Sequence, residues 1–198
     1  DGAVNGIAAG REQRFDLLQA DCAGLTGGDH RHYGVLAVSW GGAAEIVYRT
    51  NNSRFLKKLG GRFSYYVNTI LVTLNYPNRS CDLTIDGALT AGLMHYSGLI
   101  CNTEILGGGM RLAPGADHTD GLADLLLFKD IARRDIILQK PSWLFEGRHI
   151  EHPKIDLIRG RDFAVAGSPE ALVDADGETI GRLPLTVKTL KQALPVIG

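Results

Sequence analysis

Apolar and polar residues change their period along the chain, and those changes predict where helix gives way to strand. From Tyr33 to Trp40 the residues run apolar and β-branched, as in a half-buried strand, and Gly41-Gly42 breaks the run. Ser53 offers a helix cap. Phe55, Leu59, Phe63, Tyr66, Val67, Ile70, Leu71 and Leu74 then recur at three- and four-residue intervals, which predicts an amphipathic helix bent around Gly60-Gly61 and closed by Pro77.

Beyond Pro77 the period falls to two. Cys81, Leu83 and Ile85 alternate with Asp82, Thr84 and Asp86, and Asp86-Gly87 is a hairpin signal. Further apolar stretches lie at Leu93 to Cys101, Ala123 to Phe128, Ile155 to Ile158, Phe163 to Ala166, Ala171 to Val173 and Leu185 to Val187, separated by Gly, Pro and Asp turns. One predicted helix interrupts them: Asp130 caps a segment through Leu144, with Pro141 disturbing its last turn and Gly147 ending it. The pattern predicts a mainly β fold with a few helices (α+β), an antiparallel β-sandwich. The Gly/Ala-rich residues 1–14 read as a joining segment, with structure beginning near Phe15.

Composition narrows the functional classes. The 198 residues are 44% hydrophobic, enough for a proper core, and the net charge of -1 leaves no footprint for nucleic acid. No apolar run is long enough to span a bilayer and the N-terminus lacks the basic-then-apolar order of a signal peptide, so the expected location is cytoplasmic, any membrane contact being local and peripheral. Cys22, Cys81 and Cys101 are far apart and odd in number, which predicts buried thiols instead of a disulfide framework. His149 and His152 around Glu151 lack the H-E-x-x-H spacing of a helical zinc site.

Three loops combine glycine with residues able to do chemistry. Gly107, Gly108 and Gly109 precede Met110-Arg111-Leu112-Ala113-Pro114; they read either as a phosphate cradle of backbone N–H groups or as an irregular turn, and no P-loop lysine follows. Asp117 and Asp120, three apart and followed by Leu122, read as oxygen ligands for Mg2+ or Ca2+, or as Asx turns without a metal. Asp174-Ala175-Asp176-Gly177-Glu178 lacks the glycine position of a calcium-binding EF-hand. Its clustered carboxylates suit a general base, the alternative being a solvated hairpin turn.

In order, Gly107 to Pro114, Asp120-Gly121-Leu122-Ala123-Asp124-Leu125, Gly147-Arg148-His149-Ile150-Glu151-His152-Pro153, and Asp176-Gly177-Glu178 followed by Leu183-Pro184 resemble the C-terminal half of the diacylglycerol, sphingosine, ceramide and bacterial lipid kinase family. The resemblance runs from about Phe15 to the C-terminus. It implies a two-domain enzyme, with ATP held by an N-terminal α/β domain and lipid by a C-terminal β-sandwich spanning residues 15–198. Before Phe15 there is no room for that first domain, so the expectation is a truncated form, an excised domain, or a protein that has shed its kinase half; the chain alone is then expected to be inactive.

Carried over, the family's metal loop falls on Asp117, Asp120 and Leu122, with Asp120 giving its carboxylate, Leu122 a backbone carbonyl, and Asp117 a backbone oxygen or a second carboxylate. The proton acceptor falls on Glu178, with Asp176 as partner or competitor. The implied reaction is phosphoryl transfer from ATP, with Mg2+, to a hydroxyl of a diacylglycerol-like or sphingoid lipid. The apolar face of the Phe55 to Leu74 helix is a candidate lipid cleft, or ordinary core. Two other readings stay open: a non-catalytic lipid-binding or regulatory domain, and an NAD-kinase relative, against which the 147–153 stretch weighs. The expected partners are a lipid substrate and an ATP-binding domain, with self-association into a homodimer left open.

Overall fold

The computed structural model describes residues 10, 12–53, 61–137 and 142–197. Ten strands carry the fold: β1 (Glu12–Ala23), β2 (Asp29–Gly34), β3 (Ala37–Gly41), β4 (Arg79–Ile85), β5 (Ala88–Cys101), β6 (Ala123–Lys129), β7 (Ile155–Gly160), β8 (Asp162–Gly167), β9 (Leu172–Ala175) and β10 (Glu178–Ile197). The helices are α1 (Gly42–Asn52), α2 (Gly61–Asn75), α3 (Arg133–Ile137) and α4 (Ser142–Phe145), followed by a 3-10 turn over Arg148–Glu151. Every strand pair is antiparallel. The mainly β, sandwich-type expectation holds.

The order β10-β8-β4-β5-β3-β9 closes on itself because β9 also pairs with β10. β6 and β7 extend from β5, and β1 and β2 extend from β10. The enclosed core contains Leu18, Trp40, Ile100, Leu125, Phe163 and Leu185 among others. Trp40 is fully buried, and a Cβ on Gly98 would lie 2.2 Å from its ring. Glycine is required there because the indole occupies the space a side chain would need. A second cluster, built on Tyr96, Met110, Leu112, Leu126, Ile131 and Ile155, packs Trp143 and Leu144 of α4 over the β5–β6–β7 extension.

The hairpin at Asp86-Gly87 and the strands predicted after it are present, with longer bounds. Other elements differ. The strand predicted from Tyr33 to Trp40 is interrupted at Val35-Leu36, because the N–H groups of Val35, Leu36 and Ala37 point to the Asp176 carboxylate. Gly41-Gly42 ends that strand but leads at once into α1, which buries Ala44 and Ile46. Ser53 closes α1, its N–H donating to the Thr50 carbonyl and its hydroxyl to the Arg49 carbonyl; the start of the helix it is predicted to cap lies outside the described residues.

The bend expected at Gly60-Gly61 lies partly outside the described residues, as does much of the segment between Ile137 and Ser142. Of the predicted Asp130–Leu144 helix, Arg133–Ile137 (α3) and residues 142–144 within α4 are helical among the described residues, residues 138–141 lying outside them, and Asp130 accepts a hydrogen bond from the Asn78 side chain at 2.6 Å. Among the described residues the first strand runs from Glu12, ahead of the expected Phe15, and its inward positions are Asp16, Leu18, Ala20 and Cys22. Among the described residues no helix is long and apolar enough to cross a membrane.

Candidate functional site

The Asp-Gly-Glu segment is the tight turn between β9 and β10. Asp176 and Gly177 both have positive φ, 50° and 91°, and Ala175 pairs with Glu178 across them, the two-residue hairpin geometry that Asp-Gly favours. The Asp176 carboxylate is fixed by three backbone N–H groups, from Val35 at 2.6 Å, Leu36 at 2.8 Å and Ala37 at 2.9 Å. The Asn51 side chain donates to the Gly177 carbonyl at 2.8 Å, fastening the turn to the end of α1. Glu178 faces elsewhere. It is exposed, forms no side-chain hydrogen bond or ion pair among the described residues, and lines a cavity of about 350 Å³ with Thr26, His30, His32 and Thr179.

Asp174, two residues upstream, belongs to the carboxylate cluster named from sequence, which assigns it no role of its own. It is buried, accepts a hydrogen bond from the Ser39 hydroxyl at 3.3 Å through Oδ1, and leaves Oδ2 without a partner. Burial pushes its carboxyl up to about 7, the neighbouring Asp176 and Glu178 acting in the same direction against the Gly177 N–H and the Ser39 hydroxyl. No sequence signal separates this aspartate from its neighbours, since its burial comes from β3 packing beside β9.

The Asp117–Leu122 loop is held internally by two Asx-type turns. Asp117 Oδ1 accepts from the Thr119 N–H at 2.9 Å and hydroxyl at 2.6 Å, bonds that hold its carboxyl below the usual aspartate value. Asp120 Oδ1 accepts from the Leu122 N–H at 2.9 Å, and its Oδ2 lies 3.4 Å from the Arg159 guanidinium. Arg159 also donates to both Asp124 oxygens and to the Gly115 carbonyl. Both Asp120 oxygens thus have partners within the fold, the Leu122 N–H on one and the Arg159 guanidinium on the other. Among the described residues no group of three or more His, Cys, Asp or Glu side chains is gathered to hold a metal ion.

Gly107, Gly108 and Gly109 have φ of 54°, 81° and 107°, three successive left-handed positions that side chains rarely adopt. They close a turn in which Leu106 and Met110 exchange both backbone hydrogen bonds, at 2.8 and 2.9 Å. The Gly147–Pro153 stretch supports this region: buried His149 is bonded to the Leu112 carbonyl at 2.9 Å and packs edge-on against Trp143, and burial holds its imidazole below the ordinary value.

No hydrogen bond or ion pair joins one of the three loops directly to another among the described residues, yet two of them share a buried strut. The fully buried Asp16 carboxylate accepts the Gly121 and Gln192 N–H groups, each at 2.6 Å. Its carbonyl accepts from the Asn102 side chain at 2.9 Å, and the same amide nitrogen donates to the Val35 carbonyl at 2.8 Å. Val35 in turn donates to Asp176. Sequence reading missed both Asp16 and Asn102, which sit far along the chain from the loops they brace.

A family model described as the YegS C-terminal NAD kinase beta sandwich-like domain matches residues 36–198. The chain belongs to this family. A diacylglycerol kinase from Mycobacterium tuberculosis (strain ATCC 25618 / H37Rv) is 32% identical to the YegS-type domain over 96 residues, covering 48% of this chain and 30% of that protein. A diacylglycerol kinase from Bacillus subtilis (strain 168) is 26% identical over 185 residues, covering 93% of this chain and 55% of that protein. A crystal structure of a diacylglycerol kinase from Bacillus anthracis str. Sterne superposes with a TM-score of 0.60 at 18% identity, covering 98% of this chain and 57% of that one. The chain thus spans little more than half, or less, of these proteins, and the structural likeness establishes the fold.

Proposed function

We propose that this YegS-type domain is the lipid-presenting half of an ATP-dependent lipid kinase, with Glu178 as the proton acceptor. The observation that carries the assignment within the turn is the opposite use of its two carboxylates. Asp176 spends its lone pairs on three N–H groups, whereas Glu178 has its oxygens free at a cavity wall. A general base needs an available lone pair within hydrogen-bond reach of the proton it takes.

In this reading the Glu178 carboxylate receives the proton of a lipid hydroxyl, the hydroxyl oxygen bonds to the γ-phosphorus of ATP, and the bond from that phosphorus to the ADP oxygen breaks. ATP is held by an N-terminal domain of the kind the longer relatives have room for. Asp120, with the backbone oxygens of Asp117 and Leu122, would hold Mg2+, which offsets phosphate charge. Asp176 acts on the reaction by fixing the turn from which Glu178 projects. The glycine turn at 107–109 is the candidate phosphate contact.

For the lipid, α2 provides a surface unlike an ordinary core helix. Its buried positions include Ser64, Asn68 and Thr73 beside Val72, while Tyr66, Leu71 and Leu74 are 55%, 44% and 49% exposed. Apolar residues turned outward on a helix whose inner side is partly polar suit contact with acyl chains or a membrane surface. The test joins this chain to the nucleotide-binding half of the Bacillus subtilis relative and follows phosphate transfer from ATP to extracted lipid. Glu178→Gln should reduce turnover by about 10²- to 10⁴-fold. An unchanged rate in that variant would remove Glu178 from the chemistry.

A further inference from the structure

We propose that Asp16 and Asn102 are positioning residues that couple the 117–122 loop to the 176–178 turn, so that a shift at one is felt at the other. The coupling starts where β1 meets β10. Phe15 pairs with Leu194 and Leu17 with Leu190, so Asp16 alone faces a three-residue bulge, Lys191, Gln192 and Ala193. Bulges of this kind re-aim a side chain. The Asp16 carboxylate turns inward and takes the N–H of Gln192, a residue with a positive φ of 50°, together with the N–H of Gly121. Its own N–H donates to the His118 carbonyl at 2.7 Å. Asp16 thus holds the loop on both sides of residues 119 and 120. The loop also sits directly on the bulge, since a Cβ at Gly121 would lie 2.8 Å from Lys191 Cδ.

Asn102 carries the link across. Only 1% exposed, it donates through its amide nitrogen to the Asp16 and Val35 carbonyls, and its backbone N–H donates to the Leu36 carbonyl at 2.8 Å. Its side-chain oxygen is buried and has no partner among the described residues. The fold therefore uses the two amide hydrogens of this side chain, which an aspartate of equal size could not supply. An unpaired buried oxygen costs stability, so the two bonds are kept against a penalty. Val35 and Leu36 in turn donate to Asp176, whose own N–H returns to the Ala37 carbonyl at 3.0 Å. From Gly121 through Asp16, Asn102 and Val35 to Asp176, no link is longer than 2.9 Å.

The consequence for catalysis rests on the lipid-kinase reading; the mechanical coupling does not. In that reading the loop and the turn serve one phosphoryl transfer, the loop through Asp120 and the turn through Glu178, and misplacing either by a fraction of a bond length slows the reaction. A direct bond between loop and turn is lacking among the described residues, which leaves the buried strut to set their spacing. Asp16 and Asn102 would act on the reaction only through the groups they hold.

Amide hydrogen exchange on the chain tests the coupling without turnover. Asn102→Ala should speed exchange at Leu36 and Ala37, and also at Gly121, by about tenfold, the loss of one hydrogen bond. Gly121→Ala, strained by its φ of 85° and crowded by Lys191, should speed exchange at Leu36 and Ala37 from the other end, and should add little once Asn102 is replaced. Unaltered protection in the β4–β5 hairpin verifies that each variant is folded. Should Asn102→Ala fail to fold, Asn102→Asp replaces it, keeping the size and removing both donors. In the joined protein Asn102→Ala should lower kcat by about 10- to 100-fold with little change in KM for ATP or lipid. Wild-type exchange at Gly121 in Asn102→Ala would overturn the coupling, as would an effect of Gly121→Ala at Leu36 that persists in full without Asn102. Wild-type kcat in Asn102→Ala, with exchange altered at both ends, would overturn the positioning role. If the joined wild type transfers no phosphate, the kinase reading fails, and the exchange result still decides the coupling.

Discussion

Asp174 carries a pH dependence whose sign follows from its position. Its folded carboxyl is raised to about 7 from an ordinary 3.8, mainly by burial, so the native state keeps a proton that the unfolded chain releases. Its contribution to stability therefore falls as pH rises from about 4 through 7 and levels off above that. Thermal melts between pH 5 and 8 should show the decline, and Asp174→Asn should flatten it and stabilise the protein at pH 8 by on the order of 1–4 kcal/mol. Asp117 has the opposite sign: its carboxyl is lowered by the Thr119 bonds, so its small contribution is lost as pH falls below the usual aspartate range. The turn carboxylates should also separate by stability. Asp176→Ala strands three N–H donors and should cost about 2–4 kcal/mol in chemical denaturation. Glu178→Ala breaks no side-chain bond among the described residues and should stay within about 0.5 kcal/mol.

At the scale of elements, what sequence revealed depended on how locally each element is determined. The β4–β5 hairpin was legible because alternation and Asp86-Gly87 lie within one short segment. β1 was missed because its inward positions are an aspartate, a leucine, an alanine and a cysteine, which blur the apolar period of two. α1 was missed because its buried side is little more than Gly42, Ala44 and Ile46. The turn residues Asp176, Gly177 and Glu178 could be picked out by motif, but their different orientations depend on a backbone 140 residues away. Two substitutions probe such long-range supports. Gly98→Ala places a methyl group in the Trp40 ring and should cost about 1–3 kcal/mol. Asn102→Ala breaks the strut between Asp16 and Val35 and should cost a similar amount, about 1–3 kcal/mol, by urea denaturation.

For the whole molecule, closure of six strands leaves β2 and β7 as the edges of the described sheet. Hydrogen exchange should reflect this, with the slowest amides in β5 and the middle of β10 and faster exchange along the outer sides of β2 and β7. Equal protection across edge and ring strands would contradict the topology. β10 has a further consequence, in time instead of space. Its far end pairs Ile197 with Glu12, while its beginning pairs Glu178 with Ala175. A chain leaving the ribosome can assemble the β4–β5 hairpin early, but the ring stays open until the β10 residues that pair with β9 and β8, Glu178 to Lys188, have emerged. The wall bearing Glu178 is thus made after that hairpin, and contacts so distant along the chain slow the closure.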